Sequence, residues 1–237
     1  MVNRDLIATL DVEGDGLDRE INQKLFPAGA HIDPNTRVWC ATFTIRRHHI
    51  VKTVTFVTKL KGTRPVTING RLVGMTVAEH YDSSIIPESV DTIYGHHDII
   101  KVCKDESELL DNIANTIWEL IQTGYNIYCK GYNAKYNYDA LVLYNASIRH
   151  GNTLAFKETC WSCLRNACCS CCQINKLWNN THEQIKKGEY KSNQEYLIDG
   201  IKHNIEDSYQ LFQIWDKHVV IQNRKEALYN DFSTSSK

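Results

Sequence analysis

Two runs dense in β-branched and aromatic residues, Arg37-Val38-Trp39-Cys40-Ala41-Thr42-Phe43-Thr44-Ile45 and Ile50-Val51-Lys52-Thr53-Val54-Thr55-Phe56-Val57, flank a short polar turn from Arg46 to His49. Strand-like runs set so close together predict an antiparallel hairpin. The apolar run Leu6-Ile7-Ala8-Thr9-Leu10 ahead of them predicts a first strand. The hydrophobic period then changes. Residues 105–123 carry Leu109, Leu110, Ile113, Ile117, Leu120 and Ile121 at helical spacing and stop at Gly124. A short strand is expected at 126–129, then a helix over 138–150 closed by Gly151, then a long helix over about 194–222. The order β-β-β-α-β-α-α excludes an all-α or all-β protein and predicts a mixed sheet with helices packed on it.

At 237 residues and 27.3 kDa the chain is long enough for one well-buried core. One domain is expected over 1–222, with a Ser/Thr-rich tail at 223–237. Two stretches lack a period and read as insertions or long loops: 58–100, and 152–195, which is cysteine-dense and then polar. The net charge of −1 gives no global basic field. An acidic metal site would offset local basic patches in that sum, so a nucleic-acid partner is not excluded. No apolar stretch approaches the ~20 residues that span a bilayer. The start Met-Val-Asn-Arg leads straight into a strand, so a chain without a signal peptide is expected, in the cytoplasm of a bacterial or phage-infected cell. Nine cysteines, six of them between 160 and 172, fit a reducing compartment better than disulfide pairing.

The chemistry begins where the first strand ends, at Asp11-Val12-Glu13-Gly14-Asp15-Gly16-Leu17-Asp18. Alternate side chains of a strand share a face, so Asp11 and Glu13 point the same way. Two adjacent carboxylates repel and cost desolvation energy. A hard divalent cation, Mg²⁺ or Mn²⁺, removes that penalty. Further along, Asp139 sits near a helix start, and His203 and Asp207 stand at i, i+4 on the last helix, on one face.

In that order, the three segments resemble the motifs of the DEDD superfamily of 3′–5′ exonucleases, which have the RNase H-like fold. The first is similar to that of family A DNA polymerase proofreading domains. The second resembles stand-alone phage exonucleases, in which an aromatic-Asp pair is followed by a Leu four residues on and a Gly twelve residues on, matched by Tyr138-Asp139, Leu143 and Gly151. Another register, Gly131-Tyr132-Asn133-Ala134-Lys135-Tyr136-Asn137, is similar to the polymerase pattern and would put Asn137 at the metal position. The need for anionic oxygens and the Leu143 and Gly151 spacing favour Asp139. The third motif departs from the His-containing subclass, which has four residues between His and Asp, where this chain has three.

The resemblance implies a five-stranded mixed sheet flanked by helices. It implies a site in which Asp11, Glu13, Asp139 and Asp207 hold two Mg²⁺ or Mn²⁺ ions and His203 is the general base. It further implies single-stranded nucleic acid or 3′ ends as substrate, DNA first, with release of nucleoside 5′-monophosphates. Gly14, Asp15, Gly16, Asn133, Lys135 and Tyr136 are the expected substrate contacts, while Arg46 to His49 read chiefly as a solvated turn. Cys160-x-x-Cys163 with Cys168 and Cys171 is a candidate structural zinc site. The competing expectations are a catalytically impaired nucleic-acid-binding module, an exoribonuclease, and a zinc-dependent interaction protein.

Overall fold

The computed structural model describes residues 6–16, 24, 33–47, 50–68, 70–76, 85–98, 100–129, 138–151, 162–163, 192 and 194–213. The first three strands are β1 (Leu6–Gly14), β2 (Val38–Arg47) and β3 (Ile50–Thr58). β2 pairs antiparallel with both β1 and β3, in a register running from Cys40 opposite Val57 to Arg47 opposite Ile50. Asp11 and Glu13 therefore lie inside β1 and not in the turn beyond it. Within the stretch read as an insertion stand two small hairpins, β4 (Pro65–Ile68) with β5 (Arg71–Met75) and β6 (Ser89–Thr92) with β7 (Gly95–Asp98), followed by β8 (Lys101–Cys103). The helix α1 (Glu106–Gln122), strand β9 (Asn126–Cys129), helix α2 (Tyr138–His150), strand β10 (Ser162–Cys163) and helix α3 (194–213) complete the described elements.

The central sheet has the order β10-β9-β1-β2-β3-β8. β9 runs parallel to β1, β10 to β9 and β8 to β3, so the sheet is mixed. It has six strands where five were expected; β8, three residues long at the β3 edge, and β10, two residues long at the other, were not placed from the sequence. The fold class is α/β, as the change of period predicts.

Alternation along β1 divides the sheet into two faces. Ala8, Leu10 and Val12 join Ala41, Phe43 and Phe56 in one apolar cluster with Leu109, Leu110, Ile113 and Ile117 of α1 and Val142, Leu143 and Ala146 of α2. Each fully buried Leu or Ile there contributes about 1.5–3 kcal/mol of transfer free energy. A second cluster, Trp39, Cys40, Val57, Leu60 and Val90, packs under Leu197, Ile201 and Ile205 of α3. Helices thus cover both faces.

Local signals set the helix ends. The Asp105 side chain accepts a hydrogen bond from the Glu108 amide at 2.9 Å and caps α1. Gly124, at φ +84°, takes the left-handed conformation that closes it. Among the described residues no helix is long and apolar enough to cross a membrane.

Candidate active site

The face of β1 that meets α3 is polar. Thr9 and Asp11 are buried on it, Asp11 at 2% exposure, with Glu13 half-buried beyond them. α3 answers with Asn204, Asp207 and Ser208, all buried. The Asn204 Nδ2 donates to Asp11 Oδ2 at 2.9 Å. One helical turn later the Thr9 hydroxyl donates to the Ser208 carbonyl at 2.7 Å, and the Ser208 and Thr44 hydroxyls bond at 2.9 Å. Residue 204 lies over 11 and residue 208 over 9, so α3 runs antiparallel to β1. Buried apolar residues of α3, Leu197, Ile201, Ile205, Leu211 and Phe212, flank a buried polar group of Asn204, Asp207, Ser208 and Gln210. Asp207 is 1% exposed. His203 is one turn before it, with Nε2 at 3.5 Å from Asp207 Oδ2, the i, i+4 pairing expected from the spacing.

Cys40 is opposite Glu13 in the β1–β2 register and wholly buried. Burial pushes its thiol well above the ordinary value of 9.0, and the nearby charges of Glu13 and Asp11 add to this. The thiol is therefore a neutral donor, and it reaches Asn204 Oδ1 at 3.3 Å.

Asp139 falls in the first turn of α2, where the helix dipole favours a carboxylate, and it is 3% exposed. β9 is parallel to β1 and α2 follows β9, so Asp139 lies at the C-terminal end of the sheet, where β1 carries Asp11 and Glu13. Val142, one turn on, is 3.8 Å from where a Cβ on Gly14 would stand. The same Cβ would be 2.5 Å from Thr36 Cγ2, so close approach requires glycine at 14. Around Gly16 nothing lies within 4 Å of such an atom.

Asp15 is built into an ion-pair network. Arg37 Nε reaches Asp15 Oδ2 at 2.9 Å, and Arg64 Nη2 reaches Oδ1 at 3.0 Å. Arg64 also pairs with Asp33, and Arg37 donates to the carbonyls of Lys61 and Gly62. The network ties the end of β1 to the loop after β3.

The structure thus brings Asp11 together with Asn204 and Cys40, and His203 with Asp207, and sets Asp139 at the same end of the sheet. Among the described residues, no three His, Cys, Asp or Glu side chains stand close enough together to hold a metal ion. Asn133, Lys135, Tyr136, Asn137, Cys160, Cys168 and Cys171 lie outside the described residues; Cys163 lies in β10. Sequence reasoning missed Asn204 and Cys40, because an uncharged amide and a strand cysteine carry no motif. It also missed Tyr94, at the β6–β7 tip, which stacks on Tyr209 of α3 with ring centroids 4.2 Å apart. Burial raises the Tyr94 phenol, a Gln210 hydrogen bond opposes this, and Glu206 and Asp207 add to the rise, so its hydroxyl borders α3.

No family model matches the chain, and no curated protein matches it significantly.

Proposed function

We propose that this chain is a metal-dependent 3′–5′ exonuclease on an RNase H-like fold, acting on single-stranded DNA 3′ ends. The observation that carries the reading is the burial of Asp11 of β1 and of Asp207 of α3, on elements joined by the Asn204–Asp11 hydrogen bond, with His203 one turn from Asp207. A fold gains little from burying carboxylates on elements that pack together unless they serve a common charge. The strand order β3-β2-β1-β9-β10, antiparallel through the first three and parallel through the last, supports the fold assignment.

The donor set fits a hard divalent cation in its chemistry: Asp11, Asp139 and Asp207 offer carboxylate oxygen from buried positions, and Glu13 from a half-buried one. These four would hold two Mg²⁺ or Mn²⁺ ions. When bound, such ions supply Lewis acidity toward the phosphodiester and lower the pKa of water. His203 takes the proton from the attacking water, and Asp207, facing its Nε2, stabilises the imidazolium so formed. Asn133, Lys135 and Tyr136, in the segment before α2, are the proposed contacts to the terminal nucleotide.

The test is release of mononucleotides from 3′-labelled single-stranded DNA and RNA in Mg²⁺ or Mn²⁺. Hydrolysis is expected to fall by at least about a hundredfold in Asp11→Asn and Asp207→Asn, and by roughly 10²–10⁴ in His203→Ala. Wild-type protein that releases no nucleotide from either polymer refutes the reading. If it binds single-stranded DNA without cleaving it, the site is that of a binding module.

A further inference from the structure

Asn204 is fully buried on α3, the helix whose Leu197, Ile201 and Ile205 pack on the sheet through hydrocarbon. Its amide is nonetheless satisfied at both ends, by Asp11 Oδ2 at 2.9 Å and by Cys40 Sγ at 3.3 Å. The orientation of that amide follows from donor and acceptor chemistry. An ionised carboxylate only accepts, so the amide nitrogen must face Asp11. Its oxygen then faces Cys40, whose S–H is the donor. Turning the amide over would set one oxygen against another at Asp11 and leave only a weak N–H donation to the Cys40 sulfur. Asp11, Asn204 and Cys40 are each no more than 2% exposed.

We propose that Asn204, held in one orientation by the Cys40 thiol, is a positioning residue for Asp11. It fixes the plane of that carboxylate in β1 from the facing helix and thereby sets the cation affinity of the site. This rests on the metal centre of the proposed function. Partners that orient a ligating carboxylate typically change metal affinity 10–100-fold when removed. Cys40 acts at one further remove, and its deletion has the smaller effect. Its role is to donate one hydrogen bond, which a serine hydroxyl also does.

The experiment is Mn²⁺ binding to the full chain, read from the electron paramagnetic resonance signal of free Mn²⁺, with folding of each variant checked by circular dichroism. Asn204→Ala is expected to weaken Mn²⁺ binding 10–100-fold. Cys40→Ala is expected to weaken it severalfold, and Cys40→Ser to restore the wild-type value. A role in packing alone would lower the melting temperature of the two Cys40 variants without separating them in Mn²⁺ affinity. The Cys40 pair keeps the test open if Asn204→Ala does not fold. Wild-type affinity in both Asn204→Ala and Cys40→Ala, with binding lost in Asp11→Asn, overturns the positioning role and leaves the metal centre standing. A wild-type protein that binds no Mn²⁺ overturns the centre, and the positioning role with it.

Discussion

Gly200, in the middle of α3, is where two physical effects of opposite sign meet. Replacing an interior helix glycine by alanine ordinarily stabilises a helix by about 1 kcal/mol, because the glycine loses more backbone freedom on folding. Here the new methyl would stand 2.7 Å from Trp39 Cη2 and 3.2 Å from Cζ2. Trp39 is 3% exposed and wedged between β2 and α3, so its ring has no free space to enter. Overpacking of this kind costs roughly 1–3 kcal/mol. Net destabilisation by Gly200→Ala of about 1–2 kcal/mol is therefore expected, since the contact is with the body of a buried ring and not with the tip of a flexible chain. For a chain of this size each kcal/mol corresponds to roughly 2–4 °C in melting temperature.

Urea unfolding followed by circular dichroism measures this, and a double-mutant cycle isolates its cause. Trp39→Phe removes the ring atoms in conflict, at a cost of its own. On that background Gly200→Ala should be neutral or stabilising, giving a coupling of about 1–3 kcal/mol between the two sites. Gly200→Ala that stabilises the wild-type chain would refute the reasoning. It would mean that α3 shifts away from the sheet without penalty, and that the 2.9 Å contact between Asn204 and Asp11 is not held by close packing.

Two further outcomes follow from single contacts. Asp15→Ala leaves two guanidinium groups beside an emptied, fully buried position, with Arg37 keeping the carbonyls of Lys61 and Gly62 and Arg64 keeping Asp33; a loss of roughly 2–4 kcal/mol in urea unfolding is expected, and under 0.5 kcal/mol would show that both arginines simply turn to water. Burial pushes the Cys103 thiol from 9.0 up to about 11, with Glu108 adding to it, so the unfolded chain releases this proton first and stability from this group is flat below pH 9 and falls between pH 9 and about 11. In reducing buffer, Cys103→Ala should lose stability less steeply over that range than the wild type, and identical slopes would contradict the shift.

The elements legible in the sequence are those long enough to show a period. β2, β3, α1 and α2 stand within a residue or two of where β-branched density or i, i+3, i+4 spacing puts them. β8 was missed because three residues, Lys101 to Cys103, cannot display alternation. The hairpins β4–β5 and β6–β7 were hidden by strands of four or five residues broken by Pro and Gly. At the site, His203 and Asp207 were legible because one helix fixes their spacing. The partners of Asp15 were not: Arg37 and Arg64 lie 22 and 49 residues away, and such pairings are set by tertiary packing. Arg46 shows the same limit. Read as part of a solvated turn, it lies in β2 with its guanidinium 4.9 Å above the Phe212 ring of α3.

What separates the candidate site from ordinary packing is the character of one face of β1. Ala8, Leu10 and Val12 meet α1 and α2 through hydrocarbon alone, whereas Thr9 and Asp11 meet α3 through hydrogen bonds. Hydroxyl pairs satisfy themselves: Thr42 with Thr55 joins two strands, and Thr44 with Ser208 serves as well to fix the register of helix on sheet. Carboxylates do not fit that account. Burying Asp11 and Asp207 carries a desolvation cost that a threonine or asparagine at either position would avoid. The fold bears this cost on β1 and α3, and α2 carries a third buried aspartate, Asp139. Such a cost is characteristic of sites that bind a cation or carry out chemistry, because there the penalty in the empty protein becomes affinity once a positive charge arrives.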